Sequence, residues 1–229
     1  MKVIYTGHSG FLVELAHTLL LFDWIGGRMP QLDREKRLYV FSSHAHGDHF
    51  DPRVFEATAG HPDRRLVLSS DIRGNRGIPG AQKDSIWFLD PHQRVEVDGV
   101  TVETLDSTDQ GVAFAVEAEG KSILHMGDLH WWVWDDEPEE DNARIQAKWE
   151  AELKRIAGRH FHVVFAVLDP RQEGDFWRGL DELMRTVEAD AVYPMHMWDQ
   201  PELVDRLRAM PCSAPYRDKL PDVSFYTKP

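Results

Sequence analysis

The stretch His44-Ala45-His46-Gly47-Asp48-His49 follows directly on the apolar run Leu38-Tyr39-Val40-Phe41. It gathers three imidazoles and one carboxylate in six residues, the donor types that a borderline divalent ion such as zinc prefers. The spacing matters as much as the types. Two His at i and i+2, followed by adjacent Asp and His, cannot all face one ion from a single strand or helix, because each of those periods turns some of them away. A tight loop at a strand end can bring them together, and the small Ala45 and Gly47 leave its backbone free to curl. The reading that follows is a metal-binding loop closing a buried strand.

Composition is consistent with this and excludes other classes. The 229 residues, 42% hydrophobic and 28% charged, read as one globular domain spanning 1–229. No apolar run approaches the ~18 residues of a membrane span, and Met1-Lys2-Val3-Ile4-Tyr5 lacks the shape of a secretory signal. The single Cys212 rules out an internal disulfide and fits a reducing, cytoplasmic setting. Any metal is therefore expected on nitrogen and oxygen donors. A net charge of −13 argues against a nucleic-acid partner, since phosphate backbones are bound by Lys and Arg. The expected partner is a small-molecule substrate, with neither nucleic acid nor membrane. Oligomeric state is not legible.

Outward from the loop, short β-rich runs dominate the first half: Val3–Tyr5, Gly10–Leu15, Thr18–Phe22, Leu38–Ser42, Arg65–Leu68, Arg94–Val97 and Val100–Leu105. Asp98-Gly99 is a hairpin turn, and Val112–Glu117 pairs with Ser122–His125 through Glu119-Gly120. Pro52 opens a short helix to about Ala59. The second half alternates helix Asn142–Ala157, strand Val163–Val167, helix Asp175–Val187, strand Ala191–Pro194 and helix Pro201–Met210. That order predicts two sheets with helices on their outer faces.

The His44-x-His46-x-Asp48-His49 run after a buried strand, the later Gly127-Asp128 and the final His196 together resemble the metallo-β-lactamase-fold hydrolases. Gly7-His8-Ser9-Gly10-Phe11-Leu12-Val13-Glu14 is similar to the opening strand of the sugar-lactonase-like branch, and Leu21-Phe22-Asp23 to the family's second-strand aspartate. The resemblance implies an α+β fold, a four-layer αββα sandwich with a two-metal cleft at one edge of the sheets. It places His44 and His46 on a first ion, Asp48, His49 and His196 on a second, and Asp128 between them.

The chain departs from the pattern where the family supplies a further His to the first ion. Thr104-Leu105-Asp106-Ser107-Thr108-Asp109-Gln110-Gly111 stands there without one. Asp109 is the leading replacement, ahead of a Ser107 or Thr108 hydroxyl or a water. His8, His125 or His130 could also fill the gap. Zinc is the expected ion, one or two per chain, while a more oxygen-rich set also suits manganese or iron. His8 and Asp23 are read as orienting a ligand imidazole, and His125 as buried structure. The cluster His130-Trp131-Trp132-Val133-Trp134 is read as either core or a substrate-facing wall in which Trp131, Trp132 or Trp134 lines the pocket. The acids 135–141 read as a solvated approach to the next helix. Arg28 and Arg171 are candidate partners for an anionic substrate group.

The expected chemistry is hydrolysis of a small ester, lactone or phosphodiester by metal-activated water. Asp48 or Asp128 would hold that water and His130 would serve as the leaving-group acid. The alternatives are a non-catalytic metal-binding protein of this fold and an iron-dependent oxidoreductase.

Overall fold

The computed structural model describes residues 1–27 and 29–227. Two six-stranded sheets face one another. The first runs in sequence order through β1 (Lys2–Gly7), β2 (Gly10–Glu14), β3 (Thr18–Phe22), β4 (Arg37–Ser42), β5 (Arg64–Ser69) and β6 (Ile86–Leu89), antiparallel to β3 and parallel from there on. The second contains β7 (Arg94–Val97), β8 (Val100–Asp106), β9 (Val112–Ala118) and β10 (Lys121–His125) as an antiparallel meander. It continues in parallel into β11 (His160–Val167) and β12 (Glu188–Met195).

Period-2 alternation explains the layering. Leu20, Phe22, Tyr39, Phe41 and Val67 point between the sheets and join the core with Val102, Phe114, Val116 and Phe165. Their neighbours Leu19, Leu21, Leu38, Val40, Leu66 and Leu68 point the other way, onto Phe50 and onto Val54 and Phe55 around α1 (Arg53–Ala57). Both faces of these strands are buried, which is why they read as unbroken apolar runs. The outer face of the second sheet is covered by α2 (Glu139–Ile156), α3 (Arg178–Thr186) and α4 (Leu203–Ala209). They contribute Trp149, Leu153, Ile156, Leu180, Leu183 and Leu207. The result is the four-layer αββα arrangement.

Three details differ from the sequence reading. Strand β6 was not anticipated, because Ile86-Trp87-Phe88-Leu89 has no alternation to mark it. As an edge strand paired only to β5, it leaves Trp87 exposed. Helix α2 begins at Glu139, so the last acids of the 135–141 run form its first turn, where they meet the positive helix end. The expected helix from Asp175 starts instead at Arg178, after a 3₁₀ segment Pro170–Asp175 that contains Glu173 at φ +49°.

Strands β3, β4, β8, β10, β11 and β12 all run the same way relative to their sheets and end at one rim. There Val112 N donates to Ser43 O at 2.9 Å and ties the two sheets together. Gly111 (φ +69°) makes that closure possible: a Cβ there would lie 2.1 Å from Ser43 O. Among the described residues, no helix is long and apolar enough to cross a membrane.

Candidate metal centre

Each strand that ends at the rim delivers one polar residue. β3 leads to Asp23, β4 to Ser43 and the His44–His49 loop, β8 to Asp109, β10 to Asp128, β11 to Asp169 and β12 to His196. Three of the residues held here are non-glycine positions at positive φ: His8 (+49°), Asp23 (+41°) and His196 (+66°). Such conformations cost about 1–3 kcal/mol each and persist where surrounding structure enforces them.

The imidazoles are set by the hydrogen bonds of their Nδ1 atoms. His49 Nδ1–H donates to Asp23 Oδ2 at 2.7 Å, and His196 Nδ1–H to Asp169 Oδ2 at 2.8 Å. His44 Nδ1–H donates to Ser43 Oγ at 3.1 Å, and that hydroxyl donates in turn to Asp23 Oδ2 at 2.6 Å. With Nδ1 engaged, all three rings turn Nε2 inward, the atom that a metal ligand held in this way offers.

The inward atoms converge. His49 Nε2 lies 3.1 Å from Asp128 Oδ1, His196 Nε2 3.5 Å from the same oxygen, and His44 Nε2 3.4 Å from Asp128 Oδ2. His196 Nε2 is 3.6 Å from Asp48 Oδ2, His8 Nε2 is 3.4 Å from that oxygen, and His46 Nδ1 is 3.1 Å from His44 Nε2. Ligands held tetrahedrally at ~2.1 Å from zinc stand ~3.4 Å apart, so this spacing is that of donors around an ion. His8 Nε2, His49 Nε2, His196 Nε2 and Asp128 Oδ1 are all buried without a hydrogen-bond partner among the described residues. Orphaned polar atoms of this kind are costly unless something fills the space between them. A divalent cation fits. The sets His44–His46–Asp48, His44–His49–Asp128, His46–Asp109–Asp128 and His8–Asp48–His49–His196 each bring their ligand atoms within 4.8 Å of one another.

The electrostatics follow from this crowding. Burial disfavours the charged form of His49, but Asp128 and Asp23 more than offset it and hold the group at about 10. His196 is likewise raised against burial by Asp169 and Asp48. Burial and the neighbouring His49 bring His44 down to about 4. The facing His196 and His8 imidazoles drive the Asp48 carboxyl far below the usual range. Asp109 is raised by burial and by the facing Asp128.

The remaining sequence candidates fall into distinct places. Asp109 Oδ2 lies 3.7 Å from His46 Nδ1, close enough to share an ion with His46 and Asp128. The two hydroxyls considered for that place serve the loop instead: Ser107 Oγ accepts from Asp109 N, and Thr108 Oγ1 binds the backbone of His130. His125 uses both ring nitrogens structurally, donating to Ser9 O at 2.8 Å and accepting from Gly127 N. His130 is also away from the cleft. Its Nε2 donates to Gln172 Oε1 at 2.7 Å, its ring packs against Trp132, Trp149 and Gly179, and burial lowers it to about 4. That placement does not put it within reach of a leaving group.

A cavity of about 300 Å³ opens above the donors, lined by His46, Asp48, Thr108, Asp109, Asp128, Trp132, Trp134, Ile145, Arg171 and His196. Trp132 and Trp134 stack with ring centroids 5.6 Å apart and form one wall, while Trp131 turns away towards Arg178. Arg171 reaches the cavity, but its Nε and Nη2 are engaged by Asp169 at 2.9 and 2.6 Å. Arg28 lies outside the described residues. Sequence reasoning missed Asp169 as the partner of His196 and missed Trp198, whose ring covers His8 and His196. A signal for Asp169 existed: a buried apolar strand followed at once by Asp, as in Phe22-Asp23, recurs in Leu168-Asp169.

This sandwich, with its donors on strand-end loops, is the metallo-β-lactamase fold. A family profile described as a beta-lactamase superfamily domain matches residues 2–144, and the chain belongs to that family. A UPF0173 metal-dependent hydrolase from Opitutus terrae is 29% identical over 144 residues, 56% of this chain and 63% of the relative, so the match spans less than two thirds of that protein. Among solved structures, Igni18, a metallo hydrolase from Ignicoccus hospitalis, superposes with a TM-score of 0.58 at 16% identity, covering 90% of both chains. CmlA, a diiron beta-hydroxylase from Streptomyces venezuelae, gives 0.55 at 15% identity, covering 85% of this chain and 44% of that one. At those identities the likeness is one of fold.

Proposed function

We propose that this chain is a metal-dependent hydrolase that holds two divalent ions at the rim and acts on a small ester, lactone or phosphodiester. The observation that carries the reading is the convergence of the orphaned buried atoms His49 Nε2, His196 Nε2 and Asp128 Oδ1 beneath an open cavity. Bound there, a divalent ion supplies Lewis acidity and lowers the pKa of a coordinated water from 15.7 towards about 7.

The chain's own residues supply the rest. Asp128 offers one oxygen to each half of the donor set, and Asp48, partly exposed at the cavity floor, orients what enters between them. The stacked Trp132 and Trp134 exclude water from one side and favour a small or flat substrate. A cavity of about 300 Å³ suits a metabolite-sized molecule. The net charge of −13 argues against a nucleic-acid substrate.

The test is turnover of a panel of lactones, esters and phosphodiesters by the chain loaded with zinc or manganese, against a chelated control and His46→Ala. Metal-dependent turnover that His46→Ala abolishes is the expected result. Metal-loaded protein that turns over nothing in the panel refutes the substrate assignment. A second reading, an iron-dependent oxidoreductase, is favoured by one observation: Asp109 and Asp128 both stand beside His46, making part of the centre oxygen-rich. Consumption of dioxygen by the ferrous-loaded chain distinguishes it.

A further inference from the structure

We infer that the two ions of this centre are unlike: zinc settles at a nitrogen-rich position that includes His8, and a harder ion, manganese or ferrous iron, at an oxygen-richer position that includes Asp109. The inference rests on the two-ion reading above and goes beyond it in assigning His8 a donor role and the two positions different chemistry.

His8 is the residue that separates the positions. Its Nε2 is buried, has no hydrogen-bond partner and lies 3.4 Å from Asp48 Oδ2. That atom shares one 4.8 Å neighbourhood with the donors of Asp48, His49 and His196. The ring is gripped, lying 4.2 Å from the His196 ring and edge-on to Trp198 at 4.8 Å. Its backbone is held at φ +49° in the turn between β1 and β2, and His8 O accepts from His196 N at 3.3 Å. A side chain aimed by a strained turn into a ligand cluster, with its inner nitrogen unpaired, is placed as a donor.

The count of donors then differs between the halves. Asp128 turns Oδ1 towards His49 and His196 and Oδ2 towards His44. One position is therefore faced by three imidazoles (His8, His49, His196) with Asp48 and Asp128 Oδ1. The other is faced by two imidazoles (His44, His46) with Asp109 and Asp128 Oδ2, and Asp48 stands within reach of both positions. The first is the more enclosed, with His49 fully buried and Trp198 over His8 and His196, although Asp48, Asp128 and His196 also reach the cavity. The second opens to the cavity through His46 and Asp109, whose side chains are 41% and 46% exposed. The more enclosed, imidazole-richer site suits four- or five-coordinate zinc. The more open site, with one imidazole fewer and room for water, suits an ion that prefers oxygen and higher coordination.

The experiment gives chelator-stripped chain one equivalent of zinc with about a hundredfold excess of manganese, enough to work against the general preference of most sites for zinc. Ions per chain are counted, and the occupant of each position is read by anomalous diffraction on both sides of each metal's absorption edge. The expected result is zinc at the His8 position and manganese at the Asp109 position. His8→Gln should weaken zinc binding at its position about tenfold or more while manganese at the other remains. Asp109→His, given two equivalents of zinc under the same manganese excess, should take up two zinc per chain where the parent takes one. Zinc shared evenly between the positions, or zinc affinity within about twofold of the parent in a folded His8→Gln chain, overturns the inference. Fewer than two ions per chain in single-metal baths overturns the two-ion reading itself, a result distinct from the others.

Discussion

Asp169→Ala tests whether the centre depends on the carboxylate that holds His196. Asp169 is fully buried and receives His196 Nδ1–H at 2.8 Å, Arg171 N at 2.8 Å, and Arg171 Nε and Nη2 at 2.9 and 2.6 Å. Removing it leaves the His196 Nδ1–H unpaired in the interior, at a cost of about 1–3 kcal/mol. The Arg171 side chain is 49% exposed and regains water, so the loss falls mainly on His196. Loss of such a partner typically lowers metal affinity by about 10–100-fold, or ~1.4–2.7 kcal/mol at about 1.4 kcal/mol per decade. The two magnitudes agree. The assay is chelator competition, with ions counted per chain and the fold followed by thermal melting. The position containing His196 should lose affinity by that factor while the His44–His46 position keeps its ion. Asp169→Asn should fall between, because its amide retains one oxygen for the imidazole. An unchanged affinity for the ion at His196, with the protein folded, would refute the reasoning.

Three further outcomes are expected. Metal uptake should release protons at neutral pH. His49, held at about 10, and His196, also raised, carry protons in the metal-free chain. That protonation stabilises the metal-free fold fully below about 6.5 and progressively less as pH rises through 10. Apparent metal affinity should therefore rise over the same window, and calorimetry in buffers of different ionisation enthalpy that finds no proton release would contradict it. Gly111→Ala should destabilise the fold by about 2–4 kcal/mol, because its Cβ would meet Ser43 O at 2.1 Å and His44 Cβ at 2.5 Å; an unchanged urea midpoint would show that the rim relaxes. Trp134→Ala should alter KM or substrate preference by more than it alters metal content, since the ring lines the cavity but offers no donor; equal loss of both would make it structural.

Much of this protein is legible from local pattern. Alternating and continuous apolar runs identify eleven of the strand positions by local chemistry alone, and only Ile86–Leu89 escapes, because an edge strand paired on one side need not alternate. The loop His44–His49 announces metal chemistry through residue type and spacing, and Asp128 and His196 are found because they follow short buried strands. What sequence alone leaves open is the partner of each polar atom. Whether His8 orients a ligand or joins the donors depends on the loop after β12, almost the whole chain away, which brings its ring to 4.2 Å from His196. His130 looks equivalent to a ligand in sequence, two residues past Asp128, yet the chain turns there and its Nε2–H donates to Gln172 Oε1. Arg171 reads as a candidate partner for an anionic group until β11 and β12, side by side and parallel, set Asp169 beneath His196 and against Arg171. Periodicity is a property of neighbours along the chain and survives without a fold. Ligand geometry is a property of neighbours in space, and six strand ends must meet at one rim before it exists.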